Sequence, residues 1–289
     1  MQRIRDLYRT AKPVLTFEVY PPKTEQGLEP LYNVVASFRE YDPGFISITY
    51  GAGGGTRDLS LRIAADLVSR FNLPVTAHLT CVGSTVDQIR SWLIEAKKLQ
   101  VANIMALRGD PPSGQATFTA VEGGFRYAID LVQMLKSEFP EFGIGVAGYP
   151  ETHQEALSPE DDLRRLSEKV GAGGDAVYTQ LFYDNDDFFR FRDRCKDVGI
   201  DRPIVPGLLP VLSLAQVRRI TSLCKSCLPE RLLADLERSK DDADAQTSIG
   251  VDHCRKQVEE LLAAGVPGIH FYVLNRSDTI RRILEGVDL

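Results

Sequence analysis

The chain of 289 residues is 43% hydrophobic and 26% charged, a balance that supports a large buried core and excludes a disordered chain. Its net charge of −6 and the lack of a basic stripe argue against a nucleic-acid partner, and no apolar run approaches the roughly 20 residues of a membrane span. The basic opening MQRIRDLYRTAKP lacks the apolar segment of a signal peptide, and the five cysteines suit reduced thiols, so a cytoplasmic protein is expected.

In chain order, short β-branched or apolar runs alternate with longer amphipathic ones. Strands are predicted at 14–20, 45–50, 75–81, 103–107, 144–148, 176–182, 204–209 and 268–274. Helices are predicted between them at 58–70, 86–99, 125–139, 159–171, 186–197, 214–224 and 253–264. Ser158-Pro159-Glu160 reads as a helix start, with a hydroxyl N-cap, proline at N1 and acids at the positive end of the dipole. Two stretches break the beat. Residues 111–124 are rich in Gly, Pro and Ser and read as a long loop at the active face. Residues 228–250, with LERSKDDADA, add a helix and a turn. Alternation of this kind with no compositional break predicts an α/β fold, a closed (β/α)8 TIM barrel, as a single domain over residues 1–289.

In parallel α/β folds ligands sit at the carboxyl ends of the strands. The stretch NIMALRGDPP (103–112) has that polarity: a packed body, then Arg108-Gly109-Asp110, then a proline stop. An Arg–Asp pair that only satisfies a loop is the plain alternative. The other strand ends carry Glu18, Thr49 and Tyr50, His78, Tyr149 and His153, Gln180, and Tyr272 with Asn275 and Arg276. Carboxylate, imidazole, guanidinium and aromatic groups therefore converge on one mouth. The loop GAGGGT fails as a dinucleotide fingerprint, because Thr56 stands where the third glycine belongs. A glycine loop that lets backbone approach a flat ligand fits better. His78 could be a satisfied core histidine. Glu18 lies between Phe17 and Val19 inside a strand, where desolvation is expected to raise its pKa toward that of a general acid. Cys224, Cys227, His253 and Cys254 could be drawn as a zinc site. Cysteines at i and i+3 on one helix face and an adjacent His–Cys pair suit packing instead, so no metal is expected.

The motifs FEVYPPKT (17–24), ITYGAGGGTRD (48–58), AHLTC (77–81), ALRGDPP (106–112), GYPETHQEA (148–156), TQLFYD (179–184), PGLLP (206–210) and HFYVLNR (270–276) together resemble the methylenetetrahydrofolate reductases, in order and over nearly the whole chain. The resemblance implies a barrel that holds FAD and reduces 5,10-methylenetetrahydrofolate to 5-methyltetrahydrofolate. NADH or NADPH would supply the electrons, by ping-pong hydride transfer through the flavin. Carried over by motif, FAD would meet Thr49, Tyr50, Ala52, His78, Arg108, Gly109, Asp110, Tyr127, Ala128, Tyr149, His153, Asp162 and Lys169. The reduced folate would meet Glu18, Asp110, Gln180, Gln216, Tyr272 and Arg276. Glu18 would then be the general acid at the leaving nitrogen as the folate ring opens to an iminium. Asp110 would stabilise that cation, Gln180 would bind the pterin edge, and Arg276 would pair with the benzoyl-glutamate tail. Lys169, with Arg165 and His153, would face the pyrophosphate. The chain stops soon after the last strand, which resembles the short bacterial-type enzyme without a regulatory domain. Ile220 stands where some members carry an aromatic, and Arg165 occupies a variable position. Two rival readings stay open: another flavin-dependent barrel oxidoreductase, similar to proline dehydrogenase, and a non-catalytic folate-binding barrel. Assembly as a homo-oligomer and a protein electron donor stay open as well.

Overall fold

The computed structural model describes residues 2–10, 12–49, 57–111, 114 and 117–289. The expected FAD contacts Tyr50 and Ala52, with the rest of the glycine loop, lie outside the described residues.

Among the described residues, nine strand segments form one sheet: β1 (Val14–Val19), β2 (Phe45–Ile48), β3 (Val75–Thr80), β4 (Asn103–Leu107), β5 (Gly143–Gly148), β6 (Ala176–Thr179), β7 (Ile204–Val205), β8 (Gly207–Leu208) and β9 (Gly268–Tyr272). Every pairing is parallel. β7 and β8 are one strand interrupted at Pro206, which has no N–H to give. The first half pairs with β6 and the second with β9, so the ring closes. The Pro206 carbonyl still accepts the His270 N–H at 2.9 Å. With β7 and β8 taken as one, the nine segments make the expected eight-stranded barrel.

The helices are α1 (Ile4–Leu7), α2 (Leu28–Ser37), α3 (Arg57–Phe71), α4 (Val86–Lys98), α5 (Ala128–Glu138), α6 (Pro159–Ala172), α7 (Asn185–Asp197), α8 (Leu214–Cys224), α9 (Glu230–Arg238), α10 (Ala243–Ala263) and α11 (Ser277–Leu284). Two predicted boundaries move for local reasons. α5 begins at Ala128 rather than 125, because the Asp130 carboxylate accepts the N–H groups of Tyr127 (2.9 Å) and Arg126 (3.2 Å). The helix expected at 253–264 starts at Ala243, where Asp242 caps the Ala245 N–H at 2.9 Å. The strands predicted to run to 20, 50, 81, 182 and 274 stop at Val19, Ile48, Thr80, Thr179 and Tyr272, where the chain leaves the ladder to form the mouth.

Alternation along the strands sorts side chains into two sets. Leu15, Phe17 and Val19 point outward beneath the helices, and Phe17 stacks on Phe38 (centroids 4.3 Å) and Phe271 (5.8 Å). Burying a side chain of this size is worth about 1.5–3 kcal/mol. The inward set is largely polar at the mouth and apolar at the other end. There α1 plugs the barrel: Ile4 and Leu7 bury against Phe45, Met105, Tyr178 and Val205. The Ile4 N–H donates to Asn103 Oδ1 at 2.8 Å, and the Tyr8 and Tyr178 hydroxyls are hydrogen-bonded at 2.9 Å. Gly143 keeps this end tight, since a Cβ there would lie 2.7 Å from the Ile4 nitrogen.

Candidate active site

The same period of two places Thr16 and Glu18 of β1, Ser47 of β2, His78 of β3 and His270 of β9 in the barrel interior. They form a continuous polar layer. Thr16 Oγ1 lies 2.8 Å from His270 Nδ1, His270 Nε2 lies 3.3 Å from Glu18 Oε2, and His78 Nε2 lies 3.1 Å from the same oxygen. Ser47 Oγ is 3.0 Å from His78 Nε2. Burial alone would raise the Glu18 carboxyl. The two imidazoles outweigh it and hold the group at about 2. The raised pKa expected from the sequence is therefore wrong for the free chain, because the carboxyl is buried with partners rather than in apolar surroundings. His270 is the residue the sequence reading passed over. Its signal was available: it is two positions before Tyr272 on one strand, so both must face inward.

Glu18, His78 and His270 line a cavity of about 400 Å3 that opens at the strand ends. Thr49, Arg108, Gly109, Asp110, Tyr149, His153, Gln180 and Tyr272 line it too, as the sequence reading expected. Asp110 sits exposed at the rim. Gly109 has φ +88°, and a Cβ there would come 2.8 Å from Val82, so the backbone itself forms that wall. Thr80 lines the cavity too, and its buried Oγ1 has no hydrogen-bond partner among the described residues. Gln180 presents its carboxamide to the cavity while its Oε1 accepts the Leu181 N–H at 2.9 Å. The Tyr272 hydroxyl is engaged with the Thr179 carbonyl at 2.6 Å, and its ring stands edge-on to His270 with centroids 5.1 Å apart.

A second cavity of about 530 Å3 shares Leu107, Arg108, Ala147, Tyr149 and His153 with the first. It brings together Tyr127, Ala128, Asp162 and Lys169 from the expected set, with Arg165 and Glu155. Lys169 reaches in from α6 and donates from Nζ to the Ala147 carbonyl at 2.8 Å; desolvation of the ammonium pulls it down to about 8. Asp162 accepts the His153 N–H at 3.0 Å, and His153 Nδ1 accepts the Glu155 N–H at 3.1 Å. The Tyr127 ring is flanked by the Arg126 and Arg165 guanidinium groups at 5.3 and 5.9 Å. Arg108 forms a two-pronged ion pair with Glu155 (2.5 and 2.7 Å) and lies over the Phe118 ring at 5.1 Å. Its carboxylate partner is thus Glu155, from the loop after β5, and not the neighbouring Asp110 of the plain alternative.

Two expected folate contacts are not brought into either cavity. Gln216 caps its own loop, with Oε1 accepting the Leu212 N–H at 2.8 Å and Nε2 facing the Pro210 carbonyl at 3.4 Å. Arg276 is exposed on the rim at the start of α11. Among the described residues no group of three or more His, Cys, Asp or Glu is arranged to hold a metal, and no helix is long and apolar enough to cross a membrane.

Known proteins share this arrangement of sequence. Residues 3–288 match the family described as methylenetetrahydrofolate reductase. A protein of Oryza sativa subsp. japonica named probable methylenetetrahydrofolate reductase (NADH) is 38% identical over 299 residues, covering 100% of this chain and 50% of the rice protein. The chain thus spans about half the length of that plant relative. The 5,10-methylenetetrahydrofolate reductase of Escherichia coli K12 is 36% identical over 264 residues, covering 91% of this chain and 87% of that protein. The fold is shared with a Clostridium thermocellum protein described as binding two copies of 5-methyl-5,6,7,8-tetrahydrofolic acid (TM-score 0.62, 19% identity, 95% and 93% of the two chains). With the match to the family extending over nearly every residue, the chain belongs to the methylenetetrahydrofolate reductase family.

Proposed function

We propose that the chain reduces 5,10-methylenetetrahydrofolate to 5-methyltetrahydrofolate, using FAD and a reduced nicotinamide, NADH or NADPH, as one catalytic barrel. The observation that carries this reading is a single mouth in which Glu18, Asp110 and Gln180 share one cavity, joined directly to a second cavity rich in cations. The donor set fits FAD. In the second cavity Arg108, His153 and Lys169 suit a pyrophosphate beside the Tyr127 ring. In the first, Thr49, His78, the Gly109 backbone and the unpartnered Thr80 hydroxyl suit a flat ring edge with its own donors and acceptors. When bound, FAD supplies a hydride acceptor and donor.

The chain's own residues do the rest. Gln180 offers a donor and an acceptor to the pterin. Glu18 holds the proton for the leaving nitrogen as the folate ring opens. Asp110, at the rim, favours the positive charge that opening creates. A ligand that fills the cavity would remove water from Glu18, and any loss of the His78 contact to that ligand would raise the carboxyl further from its low value in the free chain. Five free cysteines support a reducing, cytoplasmic setting. The test is a reconstituted protein. With FAD it should turn yellow, bleach with NADH or NADPH under anaerobic conditions, and regain its colour with 5,10-methylenetetrahydrofolate. Bleaching without recolouring by the folate overturns the substrate. Failure to bind FAD overturns the cofactor.

A further inference from the structure

β1 and β9 pair in register from Val14–Gly268 to Glu18–Tyr272, and the Val273 N–H still reaches the Glu18 carbonyl at 3.2 Å. There the ladder stops. The Val273 carbonyl turns back to accept the Arg276 N–H at 2.9 Å, and Leu274 and Asn275 are both left-handed, with φ 49° and 54°. Two successive non-glycine residues in that region are unusual, and such backbone persists only where its surroundings impose it. The surroundings here are the Asn275 side chain. Its Oδ1 accepts the Tyr20 N–H at 3.0 Å and its Nδ2 donates to the Tyr20 carbonyl at 2.9 Å. The carboxamide stands in for a peptide group and extends the β1–β9 pairing by one rung beyond the last backbone pair. Asn tolerates the left-handed region better than most residues, which suits it to this place.

The rung ties the end of the Glu18 strand to the loop carrying Arg276, which stands on the rim outside both cavities and would meet the folate tail as the family resemblance implies. Tyr20 is two residues after Glu18, and Asn275 immediately precedes Arg276. Pro21 and Pro22 follow Tyr20 and have no N–H, so no backbone pairing can replace the rung further along. We propose that Asn275 is a positioning residue for the folate: it fixes the loop carrying Leu274 and Arg276 at a set height above the Glu18 carboxylate. This rests on the folate reading of the mouth. Arg276 is solvent-exposed on a short loop, and without the rung that loop samples other arrangements. The fraction ready to bind then falls, and affinity falls in proportion. An interaction made equally in ground and transition states is lost in KM rather than kcat.

The experiment uses the full chain with FAD and compares the wild type with Asn275→Ala, Asn275→Gly and Asn275→Asp. Hydrogen exchange at the Tyr20 amide reads the rung directly, since in a peptide covering Tyr20, Pro21 and Pro22 it is the sole exchangeable backbone amide of the three. Binding of 5-methyltetrahydrofolate is titrated in parallel. Ala and Gly both speed exchange at Tyr20 and weaken folate binding about tenfold, with the loss in KM. Gly relieves the backbone but lacks the carboxamide, so failure of Gly to rescue assigns the effect to the rung. Asp keeps the acceptor for the Tyr20 N–H and restores part of both readouts. Faster exchange with unchanged folate affinity overturns the positioning role, as does unchanged exchange in Ala. A wild-type chain that binds no reduced folate overturns the functional reading, and this role with it, while the Tyr20 exchange still reports whether the rung exists.

Discussion

Replacing Glu18 by Gln separates the two halves of the proposed reaction. Both imidazoles meet one carboxylate oxygen, at 3.1 and 3.3 Å from Oε2, so a carboxamide can turn its single oxygen to both and leave its NH2 toward the cavity. The side chain stays in place; the charge and the proton go. The charge is a matter of stability. The carboxyl is held at about 2 in the fold against an ordinary 4.5, and at 1.36 kcal/mol per unit this is roughly 3 kcal/mol. The folded value is the depressed one, so the contribution is complete above about pH 4.5 and is lost as pH falls through about 2. The variant should lose up to about 3 kcal/mol at pH 7 and show a flatter acid limb, read by urea denaturation across pH. The proton is a matter of rate. A carboxyl that stayed at about 2 would be protonated about once in 10⁵ molecules at pH 7, so the folate complex must raise it. General-acid catalysis is typically worth about 10²–10⁴, and reoxidation of the flavin by methylenetetrahydrofolate should slow by that factor. Flavin reduction by the nicotinamide needs no such proton and should be unchanged. Stopped-flow traces of each half decide the matter. Reoxidation at the wild-type rate refutes the general-acid role, and equal losses in both halves make Glu18 structural.

Asp110→Asn should raise the flavin midpoint potential by tens of millivolts, about 30 mV corresponding to 1.4 kcal/mol for two electrons, and slow the folate half; an unchanged potential in redox titration removes Asp110 from the ring's surroundings. Lys169, pulled down to about 8, is cationic below that pH and neutral above it, so FAD affinity should fall as pH rises through about 8, with proton uptake on binding above it. Lys169→Met should abolish that dependence and weaken FAD about 10- to 100-fold at pH 7, as fluorescence titration would show. Ile4→Ala should cost about 2–5 kcal/mol in urea unfolding by opening a cavity between α1 and the barrel interior; a loss too small to measure would mean that α1 does not plug the barrel.

The barrel was legible because its strands are short β-branched runs whose ends change chemistry abruptly. Asn103–Leu107 before Arg108-Gly109-Asp110 is the plainest case, and its bounds agree with the prediction. Pro206 hid the split of one strand into two pairings, since a proline in an apolar run marks an interruption without saying which neighbour each half takes. At the site, the membership of the mouth was readable from strand ends, but its electrostatics were not. The sign of the Glu18 shift depends on His270, 252 residues away, and the partner of Arg108 depends on Glu155, 47 residues away. Spacing turns His270 inward with Tyr272 but does not say that it meets Glu18, and it says nothing of Glu155. Gln216, a folate contact by motif, closes the turn from Pro210 to Leu212 with its amide in the ligand-free chain, an engagement that the motif does not show.

The plug made by Ile4, Leu7 and the Tyr8–Tyr178 pair also governs how Glu18 is recharged. Among the described residues the cavity at the mouth is the water route to that carboxylate, and a folate bound as proposed would stopper it. The carboxylate left behind after ring opening waits until the product departs before bulk water can reload it. Each turnover therefore draws on a proton taken up through the mouth as the folate enters, since the free carboxyl at about 2 is ionised at neutral pH. Enzyme in H2O mixed rapidly with the folate in D2O should show the solvent isotope effect in its first turnover, and a first turnover that runs on the light isotope would mean that the carboxyl was loaded beforehand.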